Sequence, residues 1–283
     1  MRVAVTGGSG KLGRHVVERL SASGHTVVNL DREGSRGVGF VRVDLSDYGQ
    51  VLDALSGARD GAQPAPVEAV VHLAAIPAPG LASDIETFRN NMTATFSVFH
   101  AAIRLGIRNI VHASSETVLG LPFDTAPPYV PVDEEYPGRP ESVYSLVKHL
   151  EEQLAAELCR WHPDLKIIGL RFSNVMDVAD YAEFPFDDDA RTRKWNLWAY
   201  IDGRDGAQAV EKALLHDATG FDAFIVASPD TVMTRPNAEL LDAVYPDVPR
   251  ADEIGEHTTL LSIDKARRVL GYQPQFSWRD TRA

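Results

Sequence analysis

Three polar residues in the middle of the chain have the side-chain types and the order of an acid/base site. Ser115 follows an apolar run that predicts a strand over 107–113, and Tyr144 and Lys148 lie in a later segment with helical periodicity. Because residues four apart share one face of a helix, the Lys148 ammonium can lie beside the Tyr144 phenol and lower its pKa. Such a phenol can exchange a proton with a substrate oxygen that the Ser115 hydroxyl holds by a hydrogen bond. The alternative for a Tyr-x-x-x-Lys pair alone is a solvated helix face.

A glycine-rich turn over 3–13 predicts a phosphate-binding site. It reads Val-Ala-Val-Thr-Gly-Gly-Ser-Gly-Lys-Leu-Gly, with a β-branched run before it and a helical pattern after it. Glycine lets a strand turn tightly into a helix and lets a pyrophosphate approach the first helical N–H groups. A nucleoside triphosphate loop would need Ser or Thr where this chain has Leu12. We therefore expect the pyrophosphate of a dinucleotide to contact Gly7, Gly10, Lys11, Leu12 and Gly13.

Asp31 ends the second predicted strand, a little under 20 residues past the last glycine of the turn. A carboxylate there can accept both ribose hydroxyls of an adenosine and would repel a 2′-phosphate. The alternative is an ordinary aspartate at the end of a strand. Arg14, Arg32 and Arg36 lie close in sequence and could tolerate a phosphate. We expect NAD as the cofactor, with NADP less favoured.

The ends of the third and fourth predicted strands supply further cofactor candidates. The third strand, over 40–45, ends in an acidic and an apolar residue that could bracket an adenine ring. The fourth, over 67–73, is apolar enough to be covered on both faces, and small residues follow it where the backbone could pass close to a cofactor. His72 within it is predicted to be a core residue without chemistry. The candidates at these two strand ends are Asp44, Leu45, Leu73, Ala74 and Ala75.

Strands and helices alternate four or five times in the first two thirds of the chain. This order is typical of an α/β protein with a Rossmann-type doubly wound parallel sheet and crossover helices. We expect a dinucleotide-binding core over 1–170, to which later segments at about 195–227 return, and a small substrate-binding lobe that contains most of 171–283. A loop with six prolines over 122–140 would lie at the carboxyl edge, where ligands bind.

Composition excludes several classes of protein. The formal net charge of −12 argues against a nucleic-acid or anionic-membrane surface, since both would need clustered Lys and Arg. The single cysteine, Cys159, excludes an internal disulfide and fits a reducing compartment. No leader pattern and no run of 18 apolar residues occur, so a cytoplasmic location is expected. Three acids at 187–189 lack the glycine turn and distant Glu of a calcium loop, so no metal is expected.

Several motifs occur in the order that is typical of one large family. They are the turn over 6–13, Asp31, Asp44-Leu45, His72-Leu73-Ala74-Ala75, Asn91, Ser114-Ser115-Glu116-Thr117-Val118, Tyr144 with Lys148, Arg171-Phe172-Ser173-Asn174-Val175, Tyr200-Ile201-Asp202 and 266–274. On these motifs the chain resembles the extended short-chain dehydrogenase/reductase family, the group of NAD-dependent sugar epimerases, dehydratases and dehydrogenases. The resemblance implies that Ser115, Tyr144 and Lys148 are catalytic. It also implies cofactor contacts at Asn91, Tyr144 and Lys148, a substrate contact at Asn174, and a homodimer paired through helices at 85–105 and 141–160.

The chain departs from the family pattern in three places. Leu119 replaces a frequent tyrosine, and Met176-Asp177 replaces a usual Gly-Pro. The second half is also shorter than in members that grip a nucleotide sugar, and in this it is similar to the uronate dehydrogenases, which act on free sugar acids.

The substrate side is the least determined by sequence. The segment 177–200 has an acidic part and then a basic-aromatic part with Arg193, Trp195 and Trp198. It could form a lid in which tryptophans stack on a sugar and an arginine pairs with a carboxylate. The alternative is a charged surface loop with Trp198 in the core. Arg235 is a further candidate partner for an anionic substrate.

These observations predict an NAD-dependent oxidoreductase that transfers a hydride between a sugar or sugar-acid hydroxyl carbon and nicotinamide. One alternative is an NAD-dependent epimerase or dehydratase of sugars or nucleotide sugars. A second is a protein that senses NAD without catalysis, although the intact Ser115, Tyr144 and Lys148 weigh against it.

Overall fold

The computed structural model describes residues 1–34, 39–57, 65–186 and 189–282. The strands are β1 (Arg2–Thr6), β2 (Thr26–Asp31), β3 (Phe40–Arg42), β4 (Ala69–His72), β5 (Asn109–Ser115), β6 (Lys166–Phe172), β7 (Val175–Met176), β8 (Ile201–Asp202) and β9 (Gly220–Val226). The α-helices are α1 (Lys11–Ala22), α2 (Tyr48–Leu55), α3 (Asp84–Arg104), α4 (Val143–Trp161), α5 (Gly203–Leu215) and α6 (Asn237–Val244).

Seven of these strands form one parallel sheet, in the order β3-β2-β1-β4-β5-β6-β9. Alternate residues of β1 enter two different apolar cores, Val3 and Val5 on one face and Ala4 on the other. On the first face α1 packs against α5, and on the second α3 packs against α2 and α4. The predicted Rossmann-type doubly wound fold is therefore confirmed.

The winding of the chain reverses at β1. This strand pairs with β2 on one side and with β4 on the other. In such a sheet the loops that follow the two central strands diverge, and a crevice opens at their carboxyl ends. The sheet therefore positions the glycine-rich turn and the loop after β4 on opposite sides of one crevice.

Local sequence signals fix where α4 begins, at the carboxyl edge of the sheet. Ser142 caps the helix and exchanges hydrogen bonds with Ser145 in a capping box, so Tyr144 lies in the first helical turn. The Glu152 carboxylate accepts two hydrogen bonds from the Arg171 guanidinium on β6, at 2.9 and 2.8 Å, and one from the Ser114 hydroxyl on β5, at 2.6 Å. These buried bonds hold α4 to the two strands next to it.

Later segments return to the sheet. β9 pairs with β6, and α5 packs against α1. The side chains of Tyr272 and Trp278, near the end of the chain, belong to the same apolar core as Val3 and Val5. The division into a core over 1–170 and a lobe that contains most of 171–283 stays a prediction.

None of the helices in the described ranges combines the length and hydropathy needed to cross a bilayer. Within those ranges, no three His, Cys, Asp or Glu side chains come together as metal ligands would. Arg36, Asp187 and Asp188, which the sequence interpretation mentioned, lie outside the described residues.

Candidate active site

A cavity of about 690 Å³ opens at the carboxyl edge of the sheet. This volume falls within the range of small-molecule and cofactor sites. Its walls are the turn between β1 and α1, the ends of β2, β5 and β6, the loop after β4 and the first turns of α4. The sequence-predicted site residues that line it are Gly7, Gly10, Lys11, Leu12, Gly13, Asp31, Leu45, Leu73, Ala74, Ala75, Ser115, Tyr144, Lys148 and Asn174.

The glycine-rich turn has a conformation that only glycine fits. Gly7 has a φ of +69°, and a Cβ there would lie 2.7 Å from the Ala74 backbone nitrogen. A Cβ on Gly13 would lie 2.0 Å from the Gly7 carbonyl oxygen. Gly10 precedes α1 without a side chain that could cap its N–H groups. The turn thus leaves the positive end of a 12-residue helix facing the cavity, which suits a pyrophosphate.

Asp31, the last residue of β2, and Asp44, which follows β3, are the two acidic residues that the sequence assigns to the adenosine of the cofactor. Asp31 lines the cavity, and its carboxylate accepts hydrogen bonds from the backbone N–H groups of Ser9, at 3.0 Å, and Arg32, at 2.7 Å. Asp44 does not line the cavity. Its Oδ1 accepts hydrogen bonds from Arg32 and Ser46, which lower the pKa of Asp44 to about 2. Asp44 therefore contacts Arg32, which lines the cavity, and does not line the cavity itself.

Asn91 is fully buried in α3 and does not line the cavity. Its side-chain amide brackets the backbone of Ile76: Oδ1 accepts from the Ile76 N–H at 2.8 Å, and Nδ2 donates to the Ile76 carbonyl at 3.1 Å. Ile76 belongs to the cavity wall after β4. Asn91 thus holds this loop in place from behind.

Ser115, Tyr144 and Lys148 converge on the cavity from β5 and α4. The Lys148 ammonium lies 6.0 Å from the centroid of the Tyr144 ring. Burial raises the pKa of Tyr144, while Lys148 and the Ser115 hydroxyl lower it. The effect of Lys148 thus has the direction that the helical spacing predicts, but burial outweighs it.

The residues that the sequence assigns to the substrate are placed differently from one another. Asn174 and Trp195 line it, while Trp198 is fully buried and its indole N–H donates to the Ala190 carbonyl at 2.7 Å. Arg235 does not line this cavity, and its Nε lies 3.7 Å from the Glu239 carboxylate on α6. The structure therefore brings Asn174 to the site together with Trp195, but not Trp198 or Arg235.

Sequence reasoning missed one charged residue of the cavity wall. Glu116 lines the cavity directly after Ser115, and only 3% of its surface is exposed. Its place in the chain, next to a predicted catalytic serine, was the available signal.

Comparison with known proteins places this site in a family. The sequence pattern of the NAD dependent epimerase/dehydratase family matches residues 3–186, which is more than half of the chain. The chain belongs to this family. The match confirms the resemblance that the motifs indicate, and it includes the glycine-rich turn, Ser115, Tyr144 and Lys148.

Members of the family match the chain over different lengths. A UDP-glucose 4-epimerase from Drosophila melanogaster is 29% identical over 70% of this chain and 59% of its own length. The chain spans about half the length of this and two other UDP-glucose 4-epimerases that it matches in sequence, from Oryza sativa and Bacillus subtilis. An L-arabinose 1-dehydrogenase (NAD(P)(+)) from Haloferax volcanii is 27% identical over 97% of this chain and 96% of its own. A solved short-chain dehydrogenase/reductase superfamily protein from Agrobacterium tumefaciens with bound NAD has 26% identity and a TM-score of 0.75, covering 99% of this chain and 94% of its own.

Proposed function

We propose that this chain is an NAD-dependent dehydrogenase that oxidises a hydroxyl group of a free sugar or sugar acid. The observation that carries the proposal is the convergence of Ser115, Tyr144 and Lys148 on one cavity beside the glycine-rich turn. The extent of the similarities supports a dehydrogenase over an epimerase. In sequence, an arabinose dehydrogenase aligns over nearly the whole of both chains, whereas the matches to the epimerases from Drosophila melanogaster, Oryza sativa and Bacillus subtilis cover 44 to 59% of those proteins. Solved epimerases share the fold over 94 to 95% of their length, so this difference lies in the sequence and not in the fold.

The wall of the cavity supports NAD as the cofactor. The N-terminal end of α1 and the tight approach of Gly7 to Ala74 fit a pyrophosphate. The Asp31 carboxylate fits the hydroxyls of an adenosine ribose. An Agrobacterium relative of this fold holds NAD. When bound, NAD would supply the hydride acceptor that no side chain can provide.

In this proposal Tyr144 is the general base and Ser115 orients the substrate. Tyr144 as a phenolate takes the proton of the reacting hydroxyl, and the Ser115 hydroxyl donates a hydrogen bond to the same oxygen. Lys148 favours the phenolate electrostatically. Because burial raises the pKa of Tyr144, we expect the rate of oxidation to rise with pH above neutrality.

We also propose a homodimer. α3 and α4 pack together, and both present large apolar side chains to solvent. On α3 these are Phe88 and Phe96, and on α4 they are Leu146 and Trp161. Paired helices of two subunits would remove this apolar surface from water.

A cytoplasmic location is part of the same proposal. The single cysteine of the chain, Cys159, is buried and free, and burial raises the pKa of its thiol to about 11. A buried thiol with a high pKa takes no part in disulfide exchange, so the protein needs no oxidising compartment. Fractionation of cells with an antibody against the protein tests this.

The function is tested by incubating the purified protein with NAD or NADP and a panel of aldoses, uronic acids and nucleotide sugars. Reduced-nicotinamide absorbance and product identity are followed together. Net reduction of NAD with a free sugar or sugar acid is the expected result. An isomerised sugar without net reduction would replace the proposal by the epimerase alternative. Bound NAD without turnover of any substrate would favour the sensing alternative.

A further inference from the structure

Asp31 and Arg32 are neighbours in the chain, line the same cavity and carry opposite charges. The Asp31 carboxylate accepts hydrogen bonds from the backbone N–H groups of Ser9 and Arg32. The Arg32 side chain is 54% exposed, so a ligand can reach it. The two side chains have opposite effects on the 2′-phosphate that distinguishes NADP from NAD, because an arginine can bind this group and an aspartate repels it. The choice between the two cofactors depends on which effect prevails.

The guanidinium of Arg32 is not an unpaired cation. One of its N–H groups donates a hydrogen bond to Asp44 Oδ1 at 2.8 Å. Asp44 follows β3 and does not line the cavity. The same oxygen of Asp44 accepts hydrogen bonds from the N–H and the hydroxyl of Ser46, at 2.9 and 2.7 Å. Ser46 thus holds the Asp44 carboxylate in place, and the carboxylate holds Arg32.

Asp44 is ionised throughout the neutral pH range, because hydrogen bonds from Arg32 and Ser46 lower its pKa to about 2. Its negative charge therefore offsets the positive charge of Arg32 wherever the protein is assayed near neutrality. Among the described residues here, the Asp31 carboxylate then remains without a compensating side-chain cation. A phosphate group, with nearly two negative charges at neutral pH, would meet a wall of net negative charge.

We propose that Asp44 determines the preference for NAD over NADP by pairing with Arg32, which keeps this arginine from binding a 2′-phosphate. Asp44 is a positioning residue in this proposal, because it acts on the cofactor through Arg32. The inference rests on the proposed cofactor site, in which Asp31 lies at the adenosine ribose. It goes beyond that site by assigning the discrimination to a residue outside the cavity wall.

The test measures nucleotide binding without any substrate. Dissociation constants are determined by calorimetry for NAD and NADP, and for the fragments 5′-AMP and 2′,5′-ADP, in the wild type and in Asp44→Asn. The members of each pair differ only in the 2′-phosphate, so a contact that they share cancels in the ratio of their dissociation constants. Asp164→Asn is the matched control, because it changes an exposed pair with Arg108 that lies outside the cavity.

We expect the wild type to bind NAD more tightly than NADP. Asp44→Asn should lower the ratio of the Kd for NADP to the Kd for NAD by roughly five-fold, the upper range for one exposed charge pair. The change should shrink at high salt, because exposed charges are screened. Asp164→Asn should keep the wild-type ratio. An unchanged ratio in Asp44→Asn, or tighter binding of NADP than of NAD by the wild type, would overturn the inference.

Two further variants test whether the effect depends on Arg32. In Arg32→Gln no guanidinium can be released, so adding Asp44→Asn to it should change the ratio much less than Asp44→Asn does alone. Equal changes with and without Arg32 would show that Asp44 acts by its charge alone and would overturn the proposed role. If none of the four nucleotides binds, the proposed cofactor site fails and the inference fails with it. If the ratios change as expected but no sugar is oxidised, the inference stands and the proposed dehydrogenase fails.

Discussion

Lys148 and Glu151 form a buried ion pair within one turn of α4, with Nζ 2.9 Å from Oε2 and both side chains at most 5% exposed. A second N–H of the ammonium donates to the Ala113 carbonyl at 2.8 Å. Because an ammonium has three N–H groups, these two bonds leave one for a ligand in the cavity. The pair also explains why the pKa of Lys148 is raised although burial acts to lower it.

The same carboxylate ends a chain of hydrogen bonds that reaches the glycine-rich turn. The Thr95 hydroxyl donates to Glu151 Oε1 at 2.7 Å, His72 Nε2 lies 3.0 Å from Thr95, and His72 Nδ1 lies 2.7 Å from the Thr6 hydroxyl. Burial lowers the pKa of His72 well below its usual range, so the ring is neutral. With Thr95 donating to Glu151, His72 donates from Nε2 and accepts from Thr6 at Nδ1. Glu151 thus connects the position of Lys148 with the residue that precedes Gly7.

Replacement of Glu151 by Gln should destabilise the protein strongly. The change leaves a buried ammonium without its counter-charge, for which a loss of about 3 kcal/mol in the free energy of unfolding is expected. Glu157→Gln is the matched control, since Glu157 pairs with Arg160 at the same spacing on the same helix but both side chains are more than half exposed. Urea unfolding measures both variants. If both variants lost the same free energy of unfolding, the buried Lys148–Glu151 pair would stabilise the protein no more than the exposed pair does.

The raised pKa of the buried Glu116 carboxyl predicts that the stability of the protein depends on pH. Burial raises the pKa of Glu116 from 4.5 to about 7, against the opposing effects of Ser173, Asn196, Arg193 and the Asn174 amide. The folded protein holds this proton more tightly than the unfolded chain, so ionisation of Glu116 lowers stability as pH rises between about 4.5 and 7.

Glu116→Gln removes that penalty. The melting temperature of this variant relative to that of the wild type should therefore be higher at pH 8 than at pH 5. The corresponding change in the free energy of unfolding, relative to the wild type, is about 3 kcal/mol at most. Thermal unfolding across this range, with Glu135→Gln as a control, measures it. A difference from the wild type that is the same at pH 5 and pH 8 would contradict the assigned environment of Glu116.

Gly13→Ala should weaken cofactor binding. The added Cβ would lie 2.0 Å from the Gly7 carbonyl oxygen, so the turn must open and the start of α1 must move. We expect NAD to bind at least roughly ten-fold more weakly by calorimetry. Gly49→Ala on α2, where the new Cβ would meet Asp47 only at 3.3 Å, should bind NAD like the wild type. Unchanged binding by Gly13→Ala would place the pyrophosphate elsewhere.

The proposed dimer predicts a change of assembly state on substitution at α3. A charge at the half-exposed Phe96, introduced as Phe96→Glu, should convert a dimer into a monomer in sedimentation velocity, because an unpaired carboxylate would be buried between subunits. Leu215→Glu places the same charge at an exposed apolar residue that ends α5, away from α3 and α4. This variant should remain a dimer. A wild-type monomer at micromolar concentration would refute the pairing.

The strongest sequence signals were local ones. The glycine-rich turn and the Tyr144–Lys148 spacing each involve only a few neighbouring residues. Backbone sterics and helix geometry are therefore enough to predict both without knowledge of the tertiary structure. Alternation of apolar runs with helical patterns was enough to predict a doubly wound parallel sheet and the edge where the cavity lies, but not the order of the strands. Where the third strand was predicted over 40–45, only Phe40–Arg42 pairs with β2. Strand ends depend on the neighbouring strand, which the sequence does not display.

Features that depend on distant partners could not be predicted. The environment of Glu116 is built by Ser173 and Asn196, which follow it in sequence by more than fifty residues. Asn91 matched a motif, but only the fold shows that its amide binds the Ile76 backbone rather than lining the cavity. Arg235 matched no motif, and its contact with Glu239 is a local pair between the residue before the N-cap of α6 and the first turn of that helix. Charge type alone therefore does not identify a substrate residue.

The most direct test of the account is Tyr144→Phe, assayed for turnover and for NAD binding on the same preparation. Loss of the phenolic oxygen removes the general base while the ring and the cavity wall remain, so kcat should fall by about 10²- to 10⁴-fold with the dissociation constant for NAD little changed. Tyr129→Phe, whose hydroxyl bonds to Asp133 outside the cavity, should retain wild-type values of both. If Tyr144→Phe retained full turnover, Tyr144 would not be the base and the central claim would be wrong.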